Sequence, residues 1–447
     1  MVAEISQFEW RPTNATRARR HDDIWFLDAD NGWTVNSDGK VRTTDDGGAN
    51  WQTKLHLPGV WLRCIAFSDK QNGWVGTTTP ANRLYRTRDG GQTWTPVTGL
   101  PDVARFICGL SVVNESVIYG SGTNEPGRIP GVANNIPGVI KSTDGGETWT
   151  GFDLSEHANL LVDIYFPEPE RGWVVGGKAD VPNPTTRSRV KPVVLFTEDG
   201  GVSWTNLLAG MQDELPKDEW GWKIFFVNDK VGYVSLENFS VGAVLKTTDG
   251  GKTWVRKLID DPQGNANLEG VGFVDEDKGW VGGWGDRNFA GGFSSATTDG
   301  AENWKDSNEI GRFLNRFRFI GKPISVGYAS GDTVYKYTSE PVPSAQAMRV
   351  APAKFVADDG EKSVTTKVPV EIVYTVPADA QTLSINVWNR FGVHVACPIS
   401  EDNPQPGRST FSWDFRDDSG EMLEPGFYIY RITIDDDSES RIIRVEE

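Results

Sequence analysis

Little in this chain invites metal, redox or membrane chemistry. Its 447 residues include four histidines and three cysteines, and no apolar run reaches the length of a membrane span. His21, His56, His157 and His394 show no metal-ligand spacing, so no metal site is expected. Cys64, Cys108 and Cys397 give no disulfide framework; Cys64 and Cys108 read as two buried thiols, with a bridge between them as the alternative. Basic charge is also short: 45 Lys and Arg stand against 62 Asp and Glu, a net charge of −17. That balance argues against a nucleic-acid or anionic-membrane surface, both of which ask for basic residues. P-loop, Rossmann fingerprint and nucleophile elbow are all missing, so no cofactor is expected. The start MVAEISQFEW lacks a secretory h-region. The expectation is an extracytoplasmic protein if a leader has been removed, and a cytoplasmic one otherwise.

Present in abundance are glycine (49), proline (25) and tryptophan (18), with few helical patterns, which points to an all-β fold. One short sentence recurs six times. It reads TDDGGANW (44–51), TRDGGQTW (87–94), STDGGETW (142–149), TEDGGVSW (197–204), TTDGGKTW (247–254) and a degenerate TTDGAENW (297–304). The tryptophans are 43, 55, 55, 50 and 50 residues apart, a spacing that signals a repeat architecture. Asp followed by Gly-Gly suits a tight hairpin, with the carboxylate accepting turn N–H groups and glycine taking positive φ. Asp46, Asp89, Asp144, Asp199, Asp249 and Asp299 are therefore expected to hold turns rather than to catalyse. A Gly-Trp step precedes most boxes, at Trp33, Trp74, Trp173 and Trp280, with Tyr233 in VGYVS. Before it stands an apolar column: DIWF (23–26), CIAF (64–67), DIYF (163–166), KIFF (223–226) and GVGF (270–273).

This repeat resembles the Asp-box (BNR) repeat of sialidases, sortilin-type receptors, xyloglucanases and the photosystem II stability/assembly factor family, the last also carrying the Gly-Trp step. The resemblance implies a β-propeller with a protein-binding role. After the sixth box, RFRFIG (316–321), VGYAS (326–330) and TVYKYT (333–338) supply three more strands, and FEWRP (8–12) reads like a strand that follows a box. A seven-bladed propeller over residues 1–338, its last blade closed by 8–12, is the expectation; such closure removes open sheet edges. Residues 339–363 read as a linker, and 364–447 as short strands of a β-sandwich. There FSWDFRDDSGEMLEPGFYIYRI (411–432) resembles the Ig-like domain of the flagellar-hook capping protein.

Loop insertions at 121–138, 176–192 and 282–292, with long connections at 205–220 and 256–267, fall on one expected face, and such grouped loops carry function. At that face the starts of the first strands bring together Arg63, Asp163, Lys223, Glu269 and Arg316, beside Trp222 and Trp284. One reading is that these charges satisfy one another. The other is a ligand site: Arg63, Lys223 and Arg316 on an anionic group, Trp222 and Trp284 as stacking plates, Asp163 and Glu269 as acceptors. The expected function is a monomeric, non-enzymatic binding or assembly module for a protein segment or polar ligand. The alternative is a carbohydrate-active enzyme, sialidase-like or another glycoside hydrolase, using Asp163 and Glu269. Pair separation decides glycosidase mechanism, and a sequence does not contain it. GRIPG (127–131) resembles the sialidase Arg-Ile-Pro motif, but Arg128 falls in the third expected blade, where that family places it ahead of its first box.

Overall fold

The computed structural model describes residues 8–18, 20–123, 135–181, 187, 189–285, 291–339, 363–366, 370–389, 394–424, 426–435 and 437–445. Residues 124–134 (with Arg128), 182–186 and 188, and 286–290 of the three insertions lie outside them, as does nearly all of 339–363. The chain divides into two units, residues 1–57 with 62–340, and residues 58–61 with 341–447.

The first unit is a seven-bladed β-propeller, each blade a four-stranded antiparallel sheet. Blade one runs His21–Phe26, Gly32–Asn36, Lys40–Thr44 and Gln52–His56, in spatial order, and five more blades repeat the pattern up to Lys305–Asp306. The seventh contains Phe317–Ile320, Val326–Ser330 and Val334–Thr338, and its outermost strand is Glu9–Pro12. Glu9 lies opposite Thr338 and Pro12 opposite Tyr335. Trp10 fixes this strand by packing against Trp280, Phe317 and Tyr337 at ring distances of 5.4, 5.7 and 5.1 Å.

The three repeated columns of the sequence meet in one contact. The Phe that ends an inner strand is stacked by an aromatic from the preceding blade and met edge-on by its own blade's box tryptophan. Phe67 lies 3.8 Å from Trp33 at 17° and 6.0 Å from Trp94 at 87°. Phe273 takes Tyr233 at 3.7 Å and 1°, with Trp304 at 81°. Such pairs are worth about 0.5–1.5 kcal/mol each beyond buried area. The glycine of the Gly-Trp step follows from the same contact. A Cβ at Gly73 would come within 2.5 Å of the Phe67 ring, and one at Gly279 within 2.4 Å of Phe273.

The boxes themselves are closed by hydrogen bonds. In the fifth, Thr247 Oγ1 donates to Asp249 Oδ1 at 2.9 Å, while Asp249 accepts from Thr253 N at 2.9 Å and Thr253 Oγ1 at 2.6 Å. The Asp144 and Asp249 carboxyls lie below the usual carboxylate range because turn donors surround them. The sixth box departs at Ala301, which adopts φ +73° where the others have glycine.

The second unit has a five-stranded sheet, ordered Ser363–Thr366, Asp437–Val445, Gly426–Ile434, Thr382–Asn389 and His394–Asp402, and a two-stranded sheet of Val370–Val376 with Gly407–Trp413. One core contains Ile372, Ile385, Val387, Trp413, Tyr428 and Ile432 from both sheets.

Candidate functional site

The inner strands of the propeller begin irregularly, and the irregularity aims side chains at the axis. In blade two, Leu62 pairs with Thr77 and Cys64 with Gly76, so the ladder register skips Arg63. The same bulge skips Asp22 in blade one and Glu269 in blade six. In blade five it spans Gly221 to Ile224 and frees Trp222 and Lys223 from the ladder register. A bulge turns its extra residue out of the pleat; here the extra residues are mostly charged.

These residues gather into two linked clusters. Arg316 donates through Nη1 and Nη2 to Asp163 at 2.9 and 2.6 Å, and through Nε to Asp23 at 2.9 Å. Lys223 stands 3.9 Å from Asp163. The second cluster has Arg63 Nη1 and Arg20 Nη2 on Asp22 Oδ1 at 2.9 and 2.6 Å, with Arg20 also paired to Glu269. Glu269 further accepts from Trp284 Nε1 at 2.8 Å and Asn315 Nδ2 at 3.0 Å. Arg63 lies over the Trp222 ring at 5.2 Å and Arg20 over Trp284 at 4.4 Å. All seven expected residues are thus at the centre, and none is more than 8% exposed.

Electrostatics follows from burial and pairing. Burial raises the Asp163 carboxyl, but Arg316 and Lys223 outweigh it and hold it below its ordinary value. Burial and Arg316 lower Lys223, while Asp22 and Glu269 raise Arg63 against burial. Glu269 moves the other way: burial raises it despite Arg20 and Arg63. Glu237, which accepts from Trp220 Nε1 at 2.9 Å, is pushed up to about 7 by burial and by Glu269. The cations expected to hold a ligand's anionic group already hold the chain's own carboxylates. Asp163 and Glu269 are tied to different partners.

Reading the sequence missed Arg20, Glu237 and Arg187. Arg187 comes from the blade-four insertion, is fully buried, and lies over Trp220 at 4.6 Å and 3.5 Å from Glu237. The available signal for Glu237 was an acid within the blade-five Gly-Tyr strand Gly232–Asn238, since charge inside a strand demands a partner. Arg187 offered none.

Residues 2–102 match the family described as photosynthesis system II assembly factor YCF48. The chain is 31% identical over 294 residues to the photosystem II assembly lipoprotein Ycf48 of Synechococcus sp. (strain CC9902), covering 59% of this chain and 82% of that protein. The chain belongs to the Ycf48 family. A solved Ycf48 bound to a D1 peptide shares the fold at a TM-score of 0.51 and 16% identity, over 74% of this chain and 97% of that one. A xyloglucanase of Paenibacillus sp. is 27% identical over 262 residues, 51% of this chain but 24% of the enzyme. Similarity to Ycf48 therefore spans most of the relative, whereas similarity to the xyloglucanase spans a quarter of it.

Proposed function

We propose that the chain is a non-enzymatic assembly module that binds a protein segment at the loop-rich end of its propeller. The observation that carries this reading is the closure of the charged centre. Asp22, Asp23, Asp163 and Glu269 are all buried and ion-paired to arginine. A glycosidase needs two carboxyl groups open to the sugar, one of them free to give up a proton. Under this proposal Arg63, Asp163, Trp222, Lys223, Glu269, Trp284 and Arg316 form a rigid floor. That floor sets the positions of the surrounding loops, and the loops make the contacts. Residues 364–447 would be an Ig-like sandwich serving as spacer or attachment domain, joined to a propeller of residues 1–338 through the linker 339–363.

The D1 peptide seen on the solved relative is the first probe, followed by selection from a random peptide library on the immobilised full chain. Saturable binding of a peptide, with xyloglucan and aryl-glycosides left intact, is the expected result. Hydrolysis of either sugar substrate, abolished by Glu269→Gln, would replace this reading with that of a carbohydrate-active enzyme.

A further inference from the structure

We propose that the opposite opening of the central channel, where the inner strands end, is a second binding site, for a small amphipathic carboxylate such as an alkyl or aryl acid. A cavity of about 600 Å³ opens there, within the size range of small-molecule sites. Trp25, Tyr165, Phe225, Phe226 and Phe319 line it, each half-buried. They are the C-terminal ends of the strands whose starts form the ion network, so one set of strands carries charge at one end and aromatic surface at the other.

Arg318 gives this basin its chemistry. Arg316 spends all its nitrogens on Asp23 and Asp163. Arg318, two residues on and half-buried, makes no ion pair among the described residues. Its hydrogen bond there is a long one, from Nε to the Ile24 carbonyl at 3.4 Å, and its guanidinium lies 4.3 Å over the Trp25 ring. Burial and the neighbouring Arg316 push it down to about 10, the mark of a cation whose charge is poorly compensated. Tyr165 is close enough for the two groups to interact, and burial raises its hydroxyl, which therefore stays a donor at neutral pH. The rim adds Asp229 and Lys322, one charge of each sign. A forked guanidinium beside a phenol is a fitting pair of donors for one carboxylate, and the aromatic walls fit an apolar body.

The strand edges favour a small molecule over an added peptide strand. Binding by strand addition needs free main-chain donors. Here side chains already take them: Asp23 accepts from Ile24 N and Ile65 N, Asp163 from Ile224 N, and Ser111 Oγ from Phe166 N. Recognition in the basin is left to side chains.

Calorimetric titration of the full chain with octanoate, with 1-octanol as its neutral counterpart, tests the site. Octanoate should bind saturably and 1-octanol at least about tenfold more weakly, as loss of a charge-assisted contact implies. Arg318→Gln should weaken octanoate about tenfold and leave octanol unchanged, whereas Phe225→Ala should weaken both. Should Arg318→Gln fail to fold, Tyr165→Phe, which removes one hydroxyl, should still cost about threefold for octanoate alone. Equal binding of acid and alcohol, no saturable heat at millimolar octanoate, or full affinity in Tyr165→Phe and Arg318→Gln would each overturn the proposal. Binding of a tripeptide with a free carboxyl terminus, but not of octanoate, would do the same.

Discussion

Asp249 in its box and Asp163 in the channel are both fully engaged carboxylates, but they are held from different distances along the chain. Asp249 takes its hydrogen bonds from Thr247, Lys252 and Thr253, all within four residues, and water reaches it. Asp163 is held by Arg316, 153 residues away, and Asp23 by the same arginine across 293 residues, both out of reach of water. The contrast separates two kinds of dependence. A broken box bond can be remade with solvent, while a broken channel pair leaves a bare charge in low dielectric.

The sharpest way to break this comparison is Arg316→Gln. It removes the arginine paired to both Asp23 and Asp163, leaving Asp163 with Lys223 at 3.9 Å, and should cost about 3 kcal/mol or more in urea unfolding. A loss below about 1 kcal/mol would show that the centre does not hold the ring together.

Next in size is a pH effect. Glu237 is raised from 4.5 to about 7 in the fold, so the folded chain binds the extra proton. Its contribution is fully present below pH 4.5 and is lost as pH rises through 7. Burial and Arg42 push His21 down to about 4, so its contribution runs the other way, lost as pH falls from 6.5. The two oppose each other in the intact chain, and the difference between variants isolates Glu237. Glu237→Gln should gain on the order of 2 kcal/mol relative to the parent between pH 5 and pH 8. Parallel melting curves for the two proteins across that range would contradict the assignment.

On the box side, Asp249→Ala should cost only about 1 kcal/mol, because solvent takes over the freed turn donors. Peptide binding by the folded protein should be unchanged; loss of binding without loss of stability would give this aspartate a functional role. The smallest effect belongs to Ala301→Gly. Relief of its positive φ is worth about 1 kcal/mol, and the loss of a buried methyl roughly 0.8 kcal/mol. A net change within about 0.5 kcal/mol in denaturant unfolding is expected.

The propeller was legible because its signals are local. A box closes on itself within eight residues, and the Phe, Gly-Trp and box-Trp columns recur at blade spacing. The site was legible only as a set of residues. Arg63, Lys223 and Glu269 could be placed at strand starts, but not the bulges that turn them inward, since a bulge is a property of pairing between two strands. Arg20 and Arg187 gave no pattern: Arg20 meets Asp22 two residues on but also Glu269, which reaches it only through tertiary packing, and Arg187 meets Glu237 of the next blade.

By itself, then, the amino-acid sequence determined the repeat, the turns and the all-β fold, since each depends on residues within one hairpin of one another. Only the tertiary structure decided which charges pair and which stay available. Arg316 and Arg318 sit two positions apart with the same side chain, one just ahead of the strand Phe317–Ile320 and the other within it. One meets Asp23 and Asp163 across the channel; the other meets Trp25 and makes no ion pair among the described residues. Pairing at that range is settled by the geometry of ring closure, which no local pattern encodes.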